Sequence, residues 1–353
     1  MKHATTIRRE LLAWYRREAR DLPWRQTTDP YLIWLSEVIL QQTRVDQGMP
    51  YYLRFVDRFP TVGDLAAADI DEVLKLWEGL GYYTRARNLH KAARAVVEDY
   101  GGEMPKEAAV LQMLPGIGRY TAAAVASIAF GERVAVVDGN VKRVLSRLFD
   151  ETESIDDREV EARLWEQAQT LLPQRDPGDF NQAMMELGAR LCVPKTPRCE
   201  ECPVANACEA HKLGVAAARP VRTKKKPVPK KEFVVAALQK DGEYLLAKRP
   251  ESGLLGGLWE FPQVELARGE SHQQALSRLG EELLGVQVKV GGLIATAQHT
   301  YTHMHTTLTV YRCSVVEGDP APTWHTAVQW LGREGFDRVA LPKANHKFLA
   351  ALP

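Results

Sequence analysis

Apolar residues recur at helical spacing through roughly the first 211 positions, as in Ile7, Leu11, Leu12, Trp14 and Tyr15 and again in Val160, Leu164, Ala168 and Leu171. Such a stripe is the mark of helices facing a core. No strand pair is suggested there. From Arg219 to Lys231 the pattern lapses into RPVRTKKKPVPKK, which has almost nothing to bury and reads as an extended linker. Its Lys224–Lys226 run also matches, weakly, a nuclear-import signal. Beyond it the period changes: Phe233–Leu238 and Tyr244–Ala247 flank Asp241-Gly242, a strong hairpin signal. Ser271–Leu284 reads as one amphipathic helix and Leu308–Val316 as a further strand. The pattern predicts a multidomain chain, all-α over 1–211, a linker over 212–231 and an α+β domain over 232–353.

Composition sharpens this only in places. At 353 residues the chain is long enough for about two domains. Its longest uncharged apolar run, Tyr120–Gly131, is far short of the roughly 20 residues a membrane span needs. The first twenty residues mix Arg and Glu with Leu and Trp and hold no signal-peptide core, so a cytoplasmic protein with no membrane partner is expected. Basic and acidic residues nearly balance, 46 against 45, so a polyanion would have to be held by local geometry.

Candidate chemistry is concentrated in four places. Cys192, Cys199, Cys202 and Cys208 form a Cys-x6-Cys-x2-Cys-x5-Cys cluster, which in a reducing compartment suggests metal rather than disulfides. Only one short Cys pair is present, where structural zinc sites usually have two, and on chemistry alone zinc and an iron-sulfur cluster stand about even. Leu114-Pro115-Gly116-Ile117-Gly118-Arg119-Tyr120-Thr121 places two glycines before an Ala-rich run. It reads either as an ordinary helix-helix turn or as a hairpin whose bare N–H groups, at Gly116 and Gly118, approach a phosphate at a helix start. Asp138 ends the apolar run Val134–Val137 just before a helical pattern, where an N-cap is the plain interpretation. Glu37 is the only charge in Pro30–Thr43. Desolvation on so apolar a helix would raise its pKa and suit it to general acid work, although a solvated Glu is the simpler alternative.

These motifs resemble, together and in order, the MutY-type adenine DNA glycosylases of the endonuclease III, helix-hairpin-helix superfamily. The resemblance covers about residues 8–211 and also rests on Pro23-Trp24-Arg25, Ser36-Glu37-x3-Gln41-Gln42-Thr43, Gly79-Leu80-Gly81-Tyr82-Tyr83, Val137-Asp138-Gly139-Asn140 and Phe180-Asn181-Gln182-Ala183-Met184-Met185. It implies a [4Fe-4S] cluster on the four cysteines. It further implies a monomeric base excision repair enzyme that binds double-stranded DNA and excises adenine mispaired with 8-oxoguanine or guanine. Adenine must leave the stack to be reached. By resemblance Leu22, Trp24, Arg25 and Gln182 line its pocket, and Gln42, Leu80 and Tyr82 fill or distort the gap in the duplex. Glu37 protonates adenine, while Asp138, with Tyr120 and Asn140 nearby, stabilises the sugar oxocarbenium ion or bonds to it transiently. Superfamily members that also cut the backbone carry a lysine where this chain has Tyr120, so a monofunctional enzyme is expected.

In the second domain Gly269-Glu270 through Arg278, Glu282 and Gly285 resembles the Nudix hydrolase box, and Gly257–Pro262 resembles the strand before it. Val264, Leu279, Gly280 and Leu283 depart from the box, and two of these leucines stand where metal-binding Glu residues are expected. The domain therefore resembles the Nudix-like lesion-recognition domain of MutY-type enzymes. Tyr301-Thr302-His303 matches the loop that touches 8-oxoguanine in that family.

Overall fold

A computed structural model of the chain describes residues 3–223 and 227–353. Lys224–Lys226, the basic run noted above, lies outside the described residues. The described chain forms two compact units, one from residues within 1–66 and 91–225 and the other from residues within 67–90 and 226–353.

Up to residue 212 the chain is helical: α1 (Ala4–Glu18), α2 (Pro30–Leu40), α3 (Val45–Arg58), α4 (Val62–Ala67), α5 (Ile70–Leu76), α6 (Thr84–Tyr100), α7 (Ala108–Leu111), α8 (Arg119–Phe130), α9 (Gly139–Leu148), α10 (Arg158–Leu171), α11 (Pro177–Arg190) and α12 (Glu209–Lys212). The apolar stripes meet as the periodicity requires. Ile7 and Leu11 of α1, Val144 and Leu145 of α9, Leu164 of α10 and Phe180 and Leu187 of α11 share one buried core in the first unit. The small side chains Ala122–Ala126 of α8 are all buried, and α8 lies against both α2 and α11. Small residues let helix axes approach closely, which brings side chains from three helices to one place.

The supposed linker is not free throughout. Val221 accepts a backbone hydrogen bond from Ile155 at 3.0 Å, and Arg219 pairs with Asp150 at 2.8 Å, so this end of the stretch belongs to the first unit. At its other end Lys230 and Lys231 already form part of a strand.

The second unit holds a sheet ordered β3-β2-β1-β6-β5, with β4 on β1 and β7 on β2. Its strands are β1 (Lys230–Lys240), β2 (Glu243–Lys248), β3 (Trp259–Glu260), β4 (Gln263–Glu265), β5 (Gln287–Tyr301), β6 (Met304–Glu317) and β7 (Ala327–Leu331). β1 and β6 run parallel and the other pairs antiparallel. The β1–β2 hairpin turns at Asp241 and Gly242, both with positive φ, the type I′ conformation that Asp-Gly favours. Val234, Ala236 and Leu238 face a core built on α13 (His272–Leu279), while Val235 and Ala237 face the opposite core around Phe261, Phe336 and Phe348. Burial on both faces explains the uninterrupted apolar run in β1. The helix expected over Ser271–Leu284 starts in a capping box at Ser271, as the sequence suggests, but is α-helical only to Leu279. Residues Gly280–Leu284 form a single π-helical turn. A Cβ on Gly280 would lie 2.5 Å from the Val288 side chain, so β5 crowds this point too closely for any larger residue. No helix among the described residues is long and apolar enough to cross a membrane.

Candidate active site

A cleft of about 720 Å³ in the first unit gathers Leu22, Trp24, Arg25, Glu37, Tyr120, Asp138, Asn140 and Gln182, residues that are far apart in the chain. The two carboxylates are placed by short local devices. Asp29 caps α2 by accepting from the N–H of Tyr31 at 2.8 Å, with Pro30 at the first helical position. The faces of α2 carrying Ile33, Trp34, Leu35, Val38 and Ile39 are buried, and Glu37 is left at the cleft wall. Burial pushes the Glu37 carboxyl up to about 7, even though the Tyr120 hydroxyl donates to it; the nearby Asp138 charge adds to the rise. The Tyr120 hydroxyl is in turn held well above its ordinary range by burial and by the two carboxylates.

Asp138 is the N-cap of α9, accepting from the Val141 N–H at 2.7 Å and from Asn140 Nδ2 at 2.9 Å. Burial raises its pKa and these donors oppose the rise. The plain N-cap interpretation and a chemical role are thus compatible, because one oxygen serves the helix and the other is held by Asn140 beside the cleft. Asn140 Oδ1 accepts from Arg143 at 2.8 Å, and Arg143 also donates to the carbonyls of Gly188 at 2.8 Å and Cys192 at 2.7 Å. α11 can press this close to α9 only because residue 188 is glycine: a Cβ there would lie 2.7 Å from that of Asn140.

Glu186 was not foreseen. Its side chain is fully buried and takes both Arg20, at 2.8 and 2.6 Å, and Arg25, at 2.8 Å. Burial alone would raise its pKa, but the two guanidinium groups outweigh it and hold the carboxyl down to about 2. The available signal was its spacing, one helical turn beyond Gln182 on the same face of α11.

Gly116 and Gly118 lie between α7 and α8. Gly116 has φ +72°, and a Cβ on Gly118 would meet nothing within 4 Å, so this glycine leaves the hairpin surface bare without any demand from the fold. Gln42 follows α2 with a positive φ and is not among the residues lining the cleft. Leu80 and Tyr82 belong to the second unit. There the exposed Tyr82 hydroxyl bonds to Thr302 Oγ1 at 2.6 Å, in the turn joining β5 to β6. Tyr301 packs against His299, with ring centroids 4.4 Å apart, and stacks with the exposed His303 at 6.1 Å. Two loops that the sequence presents 220 residues apart therefore meet.

Cys192, Cys199, Cys202 and Cys208 line one pocket with Arg147 and His211. Arg147 is almost wholly buried and donates to the carbonyls of Cys192, Val193, Pro194 and Ala216 and to Cys192 Sγ at 3.3 Å. Burial pushes the Cys202 thiol up to about 12 and raises Cys199 and Cys208. Thiolates here therefore need a positive group among them. Among the described residues, no three of His, Cys, Asp or Glu are grouped as a single metal ion would require.

Comparison with known proteins identifies both parts of the chain. Residues 35–170 match the HhH-GPD superfamily of base excision DNA repair proteins, and residues 233–351 match the NUDIX domain. The adenine DNA glycosylase of Homo sapiens is 38% identical, the alignment covering 97% of this chain and 73% of that protein. The adenine DNA glycosylase of Arabidopsis thaliana is 41% identical over 74% of this chain and 48% of its own length. Among solved structures, a thermostable thymine-DNA glycosylase superimposes with a TM-score of 0.55 at 33% identity, covering 60% of this chain and 98% of that one. A non-covalent complex of endonuclease III with DNA gives 0.51 at 26% identity, covering 61% and 99%.

Proposed function

The chain belongs to the adenine DNA glycosylase family, and from that premise we propose that it excises adenine opposite 8-oxoguanine or guanine in duplex DNA, as a monomer, leaving the backbone intact. The observation that carries this reading is the pair of buried carboxyls, Glu37 raised to about 7 and Asp138 held by Asn140, at one cleft with Tyr120 between α2 and α9. Adenine flipped into the cleft lies among Leu22, Trp24, Arg25 and Gln182. Protonated Glu37 donates to adenine N7, and the base leaves as a neutral ring. Asp138 then faces the oxocarbenium ion, as a charge partner or by transient bonding, by analogy with paired-carboxylate glycosidases. Water completes hydrolysis. Because Tyr120 stands where a lyase needs an amine, no Schiff base forms.

A duplex carrying one adenine opposite 8-oxoguanine provides the test. We expect strand breaks only after alkali or heat, and no adduct trapped by borohydride. Breaks without alkali, together with a trapped adduct, would show that another amine serves as a lyase nucleophile.

The four half-buried thiols fit a [4Fe-4S] cluster: they share one pocket, and burial disfavours deprotonation of Cys199, Cys202 and Cys208 unless a cation compensates. Bound there, a cluster would tie Cys192 at the end of α11 to the loop 199–208 and serve as a structural pin. Purified protein is then yellow-brown, with about four iron per chain and negligible zinc. Stoichiometric zinc in anaerobically prepared protein would refute the assignment.

For the second unit we propose lesion recognition without nucleotide hydrolysis. Leu279 is fully buried in the core beneath the sheet and Leu283 packs against it, so the positions that would offer metal-binding oxygens supply hydrocarbon instead. Arg278 remains paired with Glu270 at 2.8 Å as a structural bond. The hydrogen bond between Tyr82 and Thr302 and the stacking of His303 on Tyr301 gather these side chains at one exposed corner, to which we assign the reading of the base opposite the adenine. Polar contacts to one base supply about 1–3 kcal/mol of discrimination. Replacing His303 by Ala should therefore reduce the preference for 8-oxoguanine over guanine by roughly ten- to a hundredfold while adenine excision persists; an unchanged preference would remove His303 from the reading surface.

A further inference from the structure

Arg147, in the last turn of α9, carries a positive charge into the interior of the first unit with no acid to match it. It is 1% exposed, and its guanidinium is fully occupied by backbone. Nε donates to the carbonyls of Ala216 at 2.8 Å and Arg219 at 3.1 Å, one terminal nitrogen to those of Cys192 at 3.1 Å and Val193 at 2.8 Å, and the other to that of Pro194 at 2.8 Å. These bonds satisfy its donors but not its charge. Among the described residues Arg147 pairs with no Asp or Glu, whereas Arg219 beside it is matched by Asp150 at 2.8 Å. A buried cation without a counter-charge is costly.

The ionisable atom that Arg147 does reach is a cysteine sulfur. The nitrogen that holds the Cys192 carbonyl also lies 3.3 Å from Cys192 Sγ, and the Arg147 carbonyl accepts from Cys208 Sγ at 3.2 Å. One residue of α9 thus touches the first and the last of the four cysteines. Arg143, one turn earlier, stops at the Cys192 carbonyl and also bonds to Asn140 and Gly188. The charge that matches Arg147 is therefore absent while the cysteines are thiols and present once they bind metal as thiolates.

Resting on the iron-sulfur reading of these cysteines, we propose that Arg147 sets the reduction potential of the cluster, its buried charge and its N–H···S bond to Cys192 favouring the reduced state. Net charge and hydrogen bonds to the sulfurs are the protein's main controls on such a potential. The direction is the same for any couple, because each reduction adds negative charge beside the same fixed cation. A group that only held the loop through its carbonyls would leave the potential unchanged.

The full chain, prepared anaerobically, is compared with Arg147→Lys and Arg147→Met by protein-film voltammetry, with iron measured in each. In Arg147→Met the couple should shift at least about tenfold toward the oxidised form, a potential at least about 59 mV lower for one electron. Arg147→Lys, which keeps the charge, should recover most of that shift. Arg147→Gln takes the place of Arg147→Met should the latter fail to retain iron. A second measurement needs no neutral variant: in a paramagnetic state of the cluster, protein labelled with ¹⁵N in its arginine side chains should show a ¹⁵N coupling by pulsed EPR that Arg147→Lys loses. An unchanged potential in an iron-loaded neutral variant, or no arginine coupling in the unaltered protein, would overturn the proposal while leaving the cluster in place. Unaltered protein without iron would instead overturn the cluster reading, and this inference with it.

Discussion

Single-turnover excision of adenine is expected to slow at least about a hundredfold in Glu37→Gln and in Asp138→Asn, with mismatch binding retained. General acids contribute about 10²–10⁴ in rate, and charge stabilisation of a cationic transition state is of similar size. Glutamine keeps the shape of Glu37 and can still accept from Tyr120, but it has no proton of the right acidity to give. Asparagine at 138 can still accept from Val141 and so keep the helix cap, which separates chemistry from folding. The pH dependence distinguishes the two roles. With its carboxyl raised to about 7, Glu37 carries its proton below that pH and loses it above. Excision by the unaltered enzyme should therefore fall as pH rises through about 7, approaching tenfold per unit, and this break should vanish in Glu37→Gln. Tyr120→Phe removes a donor that lowers the Glu37 pKa, so the break should move to higher pH. A break that survives Glu37→Gln, or near-normal rates in either carboxyl variant, would refute the assigned roles.

The second large effect is on stability. Glu186→Gln should cost about 3 kcal/mol at pH 7, because it leaves Arg20 and Arg25 without their shared counter-charge. Breaking a buried ion pair typically costs about 3–5 kcal/mol, and the lower end applies because Arg20 is 37% exposed. The depressed pKa gives a similar figure: about two units below the ordinary glutamate value corresponds to about 3 kcal/mol. Since the folded pKa is lowered to about 2, this stabilisation is complete above the ordinary value of about 4.3 and lost as pH falls toward 2. Urea unfolding of the two proteins should accordingly differ at pH 7 and converge near pH 2. A difference under about 1 kcal/mol at pH 7 would mean that solvent already satisfies the arginines. The same substitution frees Arg25 at the wall of the cleft, so excision should fall as well.

What could be read from the chain before folding was whatever neighbouring residues decide among themselves. The helical stripes of α1 and α10, the Asp138 cap, the Asp241-Gly242 turn and the capping box at Ser271 are set by contacts within a few residues, and the local pattern already contains both partners. The raised pKa of Glu37 was legible in part, since its neighbours on its own helix are apolar, although the burial that raises it is completed by other elements lining the cleft. Tertiary structure decided the rest. Tyr120 reaches Glu37 across 83 residues, Arg25 reaches Glu186 across 161 and Tyr82 reaches Thr302 across 220. The segment 67–90 packs with the sheet unit although it lies within the helical part of the sequence. The helix begun at Ser271 gives way to a π-turn at Gly280, where β5 packs too close for a Cβ. Such pairings depend on which faces are brought together and how far water is excluded between them, and no local run of residues contains that information.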